Sequence, residues 1–169
     1  FGMTRAAEHG LYYGHGTDNV WDDMLALMGG SLKLPPHRVT SLLASRLTVD
    51  EKTLLTTQLR KRCLDKIPVP YLIQEAYFCG EPYYVDGRVL IPRSPLAELI
   101  EQQFSPWVEA HAVHRVLDLC TGSGCVAIAC AQYFPDATVI ASDVSADALA
   151  VAQINVTRHH VGDRVTLIQ

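Results

Sequence analysis

Apolar positions change their spacing along the chain, and the change divides it. Between residues 18 and 67 they recur at helical spacing: Trp21, Met24, Leu25 and Met28; then Val39, Leu42, Leu43 and Leu47; then Leu54, Leu55, Leu59, Cys63, Leu64 and Ile67. Each set forms one apolar stripe on a helix. Polar and special residues punctuate the stripes. Asp18 is placed to cap the first helix and Gly29-Gly30 to end it. Pro36 opens the second. Thr48-Val-Asp-Glu51 is a capping box, in which the first and last side chains satisfy each other's backbone N–H. Pro68 and Pro70, which lack an N–H, stop the third helix. A small helical bundle is predicted over residues 1–70.

The spacing then shortens. Tyr83-Tyr-Val85 and Arg88-Val-Leu-Ile91 flank Asp86-Gly87, a hairpin signal, so residues 71–95 read as a hairpin linker. Ser94 as cap and Pro95 at the first helical position predict a helix through Leu96, Leu99 and Ile100. Beyond it, short apolar runs alternate with helical patterns: strand 115–119, helix 124–133, strand 138–142, helix 146–159 capped by Ser145, strand 164–168. Such alternation predicts a parallel sheet with right-handed crossovers. The fold class is therefore α/β: a helical bundle, a linker, and over 96–169 the first half of a Rossmann-like sheet.

The chemistry concentrates where the first of these strands ends. Val116-Leu-Asp-Leu-Cys-Thr-Gly-Ser-Gly124 runs an apolar strand into an acid, then a tight loop, then a helix. Glycines at 122 and 124 let backbone approach a ligand where a Cβ would collide. The following helix offers free N–H groups and a positive dipole end. Asp143, on the next strand, can hold ribose hydroxyls. Gly122-Ser-Gly-Cys-Val-Ala127 also satisfies the loose dinucleotide fingerprint, so NAD(P) competes. Asp118 favours S-adenosylmethionine (SAM): a carboxylate at the loop mouth repels a pyrophosphate but suits an ammonium and a sulfonium.

Composition narrows the partners. With 49% hydrophobic residues, the chain can build one or two compact units. No apolar run approaches the roughly 20 residues of a membrane span, and Phe1-Gly-Met-Thr-Arg5 has no apolar core of a signal peptide. The absent initiator Met suggests that residues precede Phe1. Residues 1–70 balance at +2 and residues 71–169 at −6, so no stable nucleic-acid binding is expected. Arg60-Lys-Arg62 with Lys66 reads as the solvated last turn of a helix, where cations suit the dipole. Five cysteines without a Cys-x-x-Cys read as reduced, cytoplasmic thiols rather than metal ligands. The seven histidines, His15 among them, form no metal or nucleophile–base motif and read as surface or packing residues. Tyr12, Tyr13 and Trp21 read as core more readily than as a substrate-facing patch.

Leu117–Gly124, together with Ser-Asp143-Val-Ser-Ala-Asp-Ala-Leu-Ala150 and Asn155, resembles the first half of a class I SAM-dependent methyltransferase. Val89-Leu-Ile-Pro-Arg93 resembles the interdomain hairpin of the protein-glutamine methyltransferases. Within that family, Tyr13–Asp22, Phe78–Asp86 and Ile91–Pro95 resemble members that methylate a large-subunit ribosomal protein. The resemblance implies methylation of a glutamine side-chain amide. It implies that Asp118 takes the methionine ammonium, that Thr121, Gly122 and Gly124 form the methionine cradle, and that Asp143 takes the ribose. Arg93 either reaches over the site or lies at the surface. The family's catalytic Asn-Pro-Pro-Tyr does not occur; the only asparagines are Asn19 and Asn155. The resemblance thus implies an N-terminal half, inactive alone, whose first sheet strand is an edge open to self-association. An adenine-N6 nucleic-acid methyltransferase and a non-catalytic ribosome-assembly module stay open as alternatives.

Overall fold

A computed structural model describes residues 2–14 and 16–169, without the side chain of Pro36; His15 lies outside the described residues. The chain forms two compact units, which divide between Glu75 and Ala76.

The first unit is all-helical: α1 (Gly2–Glu8), α2 (Val20–Ser31), the single turn α3 (Pro36–Val39), α4 (Val49–Cys63) and α5 (Val69–Ile73). The capping box on α4 is present, with Thr48 Oγ1 accepting from Glu51 N–H and Glu51 accepting from Thr48 N–H. Three expectations need correction. The cap of α2 is Asn19, not Asp18; its side chain accepts from Asp22 N–H at 3.0 Å. Gly29 and Gly30 do not end α2 but lie inside it. They admit close neighbours: a Cβ on Gly29 would stand 2.8 Å from Val39 Cγ2, and one on Gly30 2.6 Å from Ile73 Cδ1. The stripe through Val39 and Leu47 makes only α3 and a following 3-10 turn, Thr40–Leu42.

The second unit opens with an antiparallel hairpin, β1 (Ala76–Phe78) and β2 (Glu81–Tyr83), closed over Cys79-Gly80, both at positive φ. The turn expected at Asp86-Gly87 is not a hairpin, and residues 76–95, read from sequence as linker, are part of this unit. Asp86 instead folds the chain locally: its carboxylate accepts from the backbone N–H of Arg88 at 3.0 Å and binds that residue's guanidinium at 2.7–3.1 Å. After α6 (Leu96–Glu101) come β3 (Arg115–Leu119), α7 (Cys125–Tyr133), β4 (Thr138–Ser142), α8 (Ala146–Arg158) and β5 (Val165–Ile168). The three strands are parallel in the order β3-β4-β5, pairing Leu117 with Ile140 and Ile140 with Thr166.

One sheet face is buried. Val139, Ala141 and Val165 pack with Ala127, Ile128 and Ala131 of α7 and Val156 of α8. The other face carries Leu117, Leu119, Ile140 and Ile168, all exposed. Among the described residues β3 pairs only with β4, so it is an edge strand.

Candidate functional site

At the carboxyl end of β3 the backbone turns left-handed at alternate residues: Cys120 (φ +60°), Gly122 (φ +56°) and Gly124 (φ +79°). The glycines adopt this conformation without strain; Cys120 does so at a cost of roughly 1–2 kcal/mol. Gly124 is needed for space as well, since its Cβ would lie 3.2 Å from Ala152 Cβ. No atom within 4 Å would meet a Cβ on Gly122, so that side of the loop is open to a ligand. Gly124 also caps α7, whose first turn receives no side-chain cap. Of its first-turn N–H groups, that of Ala127 acts on the Asp118 carboxylate.

The loop is tied to both acids. Thr121, which is buried, donates its hydroxyl to Asp118 Oδ2 at 2.6 Å. Its N–H reaches the Ser142 carbonyl on β4 at 2.9 Å. Gly122 N–H donates to Asp143 Oδ2 at 2.9 Å, and Ser145 N–H donates to Asp143 Oδ1 at 2.9 Å. A carboxylate offers about four lone-pair sites, so Asp143 keeps capacity for further donors. Burial raises the pKa of Asp118 above the ordinary aspartate range, and the nearby charge of Asp143 adds to this; the Thr121 hydroxyl and Ala127 N–H act in the opposite sense. An ionised Asp118 therefore lacks a cationic partner among these groups, and a ligand ammonium would supply one.

The structure thus brings Asp118, Thr121, Gly122, Gly124 and Asp143 together. Arg93 is exposed and has no hydrogen-bond or ion-pair partner among the described residues. The cysteines are five free thiols. Cys125 and Cys130 are buried, which pushes each up to about 11, whereas Cys120 is exposed on the loop. No group of three or more His, Cys, Asp or Glu among the described residues could hold a metal, and no helix of these residues is long and apolar enough to cross a membrane.

One residue at the site, named from sequence only for the resemblance, was given no role there. Asn155 is fully buried and bonds to the Ser123 carbonyl inside the loop. The available signal was its position: with Ala148, Val151, Ala152 and Val156 it lies on the buried face of α8, where an unpartnered amide would be costly.

In the first unit the core reading is corrected for Tyr12 and Trp21, whereas Tyr13 packs against the cluster of Ala6, Leu11 and Cys63. Tyr12 and Trp21 are exposed, and Trp21 borders an apolar cavity of about 420 Å³ with Met24, Met28, Leu43 and Leu55. Tyr13 is half-buried, with the Arg62 guanidinium 5.9 Å from its ring centre.

Residues 99–168 match the family described as the methyltransferase small domain. Over 168 residues the chain is 39% identical to the ribosomal protein uL3 glutamine methyltransferase of Francisella tularensis, covering 99% of this chain and 54% of that one. It is 44% identical over 157 residues to the protein of the same name from Bordetella pertussis, covering 92% and 53%. The chain spans about half the length of these curated relatives. Among solved structures, coclaurine N-methyltransferase superposes with a TM-score of 0.38 at 15% identity, covering 99% of this chain and 43% of that one; a likeness that weak supports no inference.

Proposed function

We propose that the protein, whose residues 99–168 match the family described as the methyltransferase small domain, methylates a glutamine side-chain amide of a large-subunit ribosomal protein in the cytoplasm. SAM is the cofactor that the family indicates, and when bound it supplies an electrophilic methyl group on a sulfonium. The observation that carries the reading is the joining of two carboxylates by one glycine loop: Asp118 through the Thr121 hydroxyl, Asp143 through the Gly122 N–H. Asp118 receives the methionine ammonium, the open face of Gly122 admits the methionine chain, and its carboxylate meets the N-terminus of α7. Asp143 receives the ribose hydroxyls in charge-assisted bonds. The substrate follows the curated relatives, whose names specify uL3 glutamine.

A glutamine amide is a poor nucleophile because its nitrogen lone pair is delocalised. Catalysis requires the nitrogen to be held in line and its N–H groups to be accepted. The residues of this chain bind and orient the cofactor but include no Asn-Pro-Pro-Tyr, so we expect no methyl transfer from these 169 residues alone. The exposed edge of β3 is then a template for self-association.

The test offers labelled SAM to the full-length protein with unmethylated uL3 or with duplex DNA. Label on a glutamine of uL3 and none on DNA is expected. Label on adenine would replace the reading with a nucleic-acid methyltransferase, against which the −6 balance of residues 71–169 weighs. Label on neither would support a binding module. Transfer by the 169-residue chain within about tenfold of the full-length rate, roughly 1.4 kcal/mol in barrier, would contradict the expected inactivity.

A further inference from the structure

Asn155 joins two segments that are far apart in sequence. Its Oδ1 accepts from Tyr84 N–H at 2.7 Å, while its Nδ2 donates to the Tyr84 carbonyl at 3.0 Å and to the Ser123 carbonyl at 2.8 Å. The first two bonds clasp both backbone groups of one residue, as a neighbouring strand would. The third falls between Gly122 and Gly124. One acceptor beside two donors is an inventory that a short amide meets. An aspartate would turn a charge toward two carbonyls, and a leucine of similar size would remove all three bonds.

The bonds continue outward from Tyr84. Its hydroxyl donates to Asp86 Oδ2 at 2.9 Å, and Asp86 in turn holds Arg88. The Arg88 hydrogen bonds hold the Asp86 carboxyl well below the usual range, so the contact stays ionic near neutral pH.

We propose that Asn155 is a positioning residue that couples the Tyr84–Arg88 segment to the glycine loop, so that ordering either one orders the other. The identity of the loop's ligand rests on the function proposed above; the coupling does not. A ligand that stabilises the loop must then stabilise the segment, because linkage is reciprocal.

The test compares Asn155→Leu with Val156→Ala in the full-length protein. Val156 is the next residue of α8, is also buried, and packs in the apolar core rather than on the loop. Both variants should melt earlier. At a temperature where both are folded, calorimetry should show SAM affinity lowered tenfold or more in Asn155→Leu and less than twofold in Val156→Ala. Hydrogen exchange without cofactor should quicken together at Tyr84, Gly122 and Gly124 in Asn155→Leu only. In the unmutated protein, SAM should slow exchange at Tyr84. Equal affinity losses in the two variants, or faster exchange at Tyr84 with none at Gly122 and Gly124, would overturn the coupling. If the unmutated protein does not bind SAM, the proposed function fails, yet the exchange comparison still decides the coupling. If Asn155→Leu does not fold, Asn155→Asp keeps the acceptor and removes both donors; unchanged exchange at Gly122 and Gly124 in that variant would also overturn it.

Discussion

The two units bury polar side chains in different ways. Among the described residues, the buried polar ones are Asp23 and Arg62 in the helical unit and Thr121, Ser123 and Asn155 in the α/β unit. The helical pair is an ion pair at 2.8 Å. Asp23 also accepts from the Thr17 hydroxyl at 3.0 Å, and Arg62 donates to the Tyr12 carbonyl at 3.0 Å. Together they pin the loop before α2 to α4. All three buried polar residues of the α/β unit lie in the glycine loop or bond to it. Burying a polar group is costly unless its hydrogen bonds are met. The helical unit meets that demand by fastening its own chain, and the α/β unit by shaping a loop that leaves a carboxylate and helix N–H groups for something else.

The strongest way to break this contrast is to remove one partner of the buried ion pair. Asp23→Ala leaves the Arg62 charge without its counterion and should destabilise the helical unit by roughly 3–5 kcal/mol. SAM affinity measured on the folded protein should not change. Denaturant unfolding with calorimetry checks both, and a stable variant with lost affinity would mean that the pair serves the cofactor.

Gly124→Ala probes the other region. At φ +79° with Ala152 3.2 Å away, the added methyl meets backbone strain and a packed neighbour together, so a loss of roughly 1–3 kcal/mol is expected, with weaker cofactor binding. Stability equal to the unmutated protein would show that the loop is not held as described.

The pH dependence of binding sharpens the role of Asp118. Its raised pKa means that the folded protein holds this proton more tightly than the unfolded chain. By itself that favours folding at low pH, and the contribution is lost as pH rises through the raised value. Cofactor binding has the opposite sign, because an ammonium needs the carboxylate. SAM affinity should therefore decline as pH falls, starting above the ordinary aspartate range. Thr121→Val, which removes a donor to the charged form, should move that onset to higher pH. Identical pH profiles in Thr121→Val and the unmutated protein would separate Asp118 from the cofactor.

How far each region could be read from sequence follows from the same contrast. The strands β3–β5 and helices α7 and α8 lie close to their expected limits, because the change from period 2 to period 3.6 is strong there and Ser145 caps α8 as expected. The four loop residues from Asp118 to Gly124 and Asp143 were legible because their chemistry is local to one strand end and its neighbour. The hairpin was misplaced because Asp86-Gly87 carries a strong turn signal, while the actual turn uses Cys79 in a conformation unusual for a residue with a side chain. Asp86 spends its turn-forming capacity on Arg88 two residues ahead, a competition between side chain and sheet that spacing does not reveal. Gly29 and Gly30 were read as a stop because their packing partners, Val39 and Ile73, lie far along the chain. For Arg93 the sequence left a reach over the site and a helix-entry or surface role both open, and the structure shows the side chain exposed.

The smallest effect expected is at Cys120. Cys120→Gly relieves a left-handed strain of roughly 1–2 kcal/mol but frees the unfolded chain by roughly 0.5–1 kcal/mol, so stability should rise by no more than about 1.5 kcal/mol. A large gain, read from thermal unfolding, would mean that the loop stores more strain than its backbone shows.

On the proposed function, the loop and its two carboxylates bind SAM. That binding is tested most directly by calorimetric titration of SAM into the full-length protein, Asp143→Ala and Cys125→Ala. Asp143 is assigned two charge-assisted bonds to the ligand, so its loss should cost on the order of 1.5–3 kcal/mol, about 10- to 150-fold in affinity. Cys125, a buried packing thiol, should leave affinity nearly unchanged. Equal losses in the two variants, or no binding by the unmutated protein, would contradict the account.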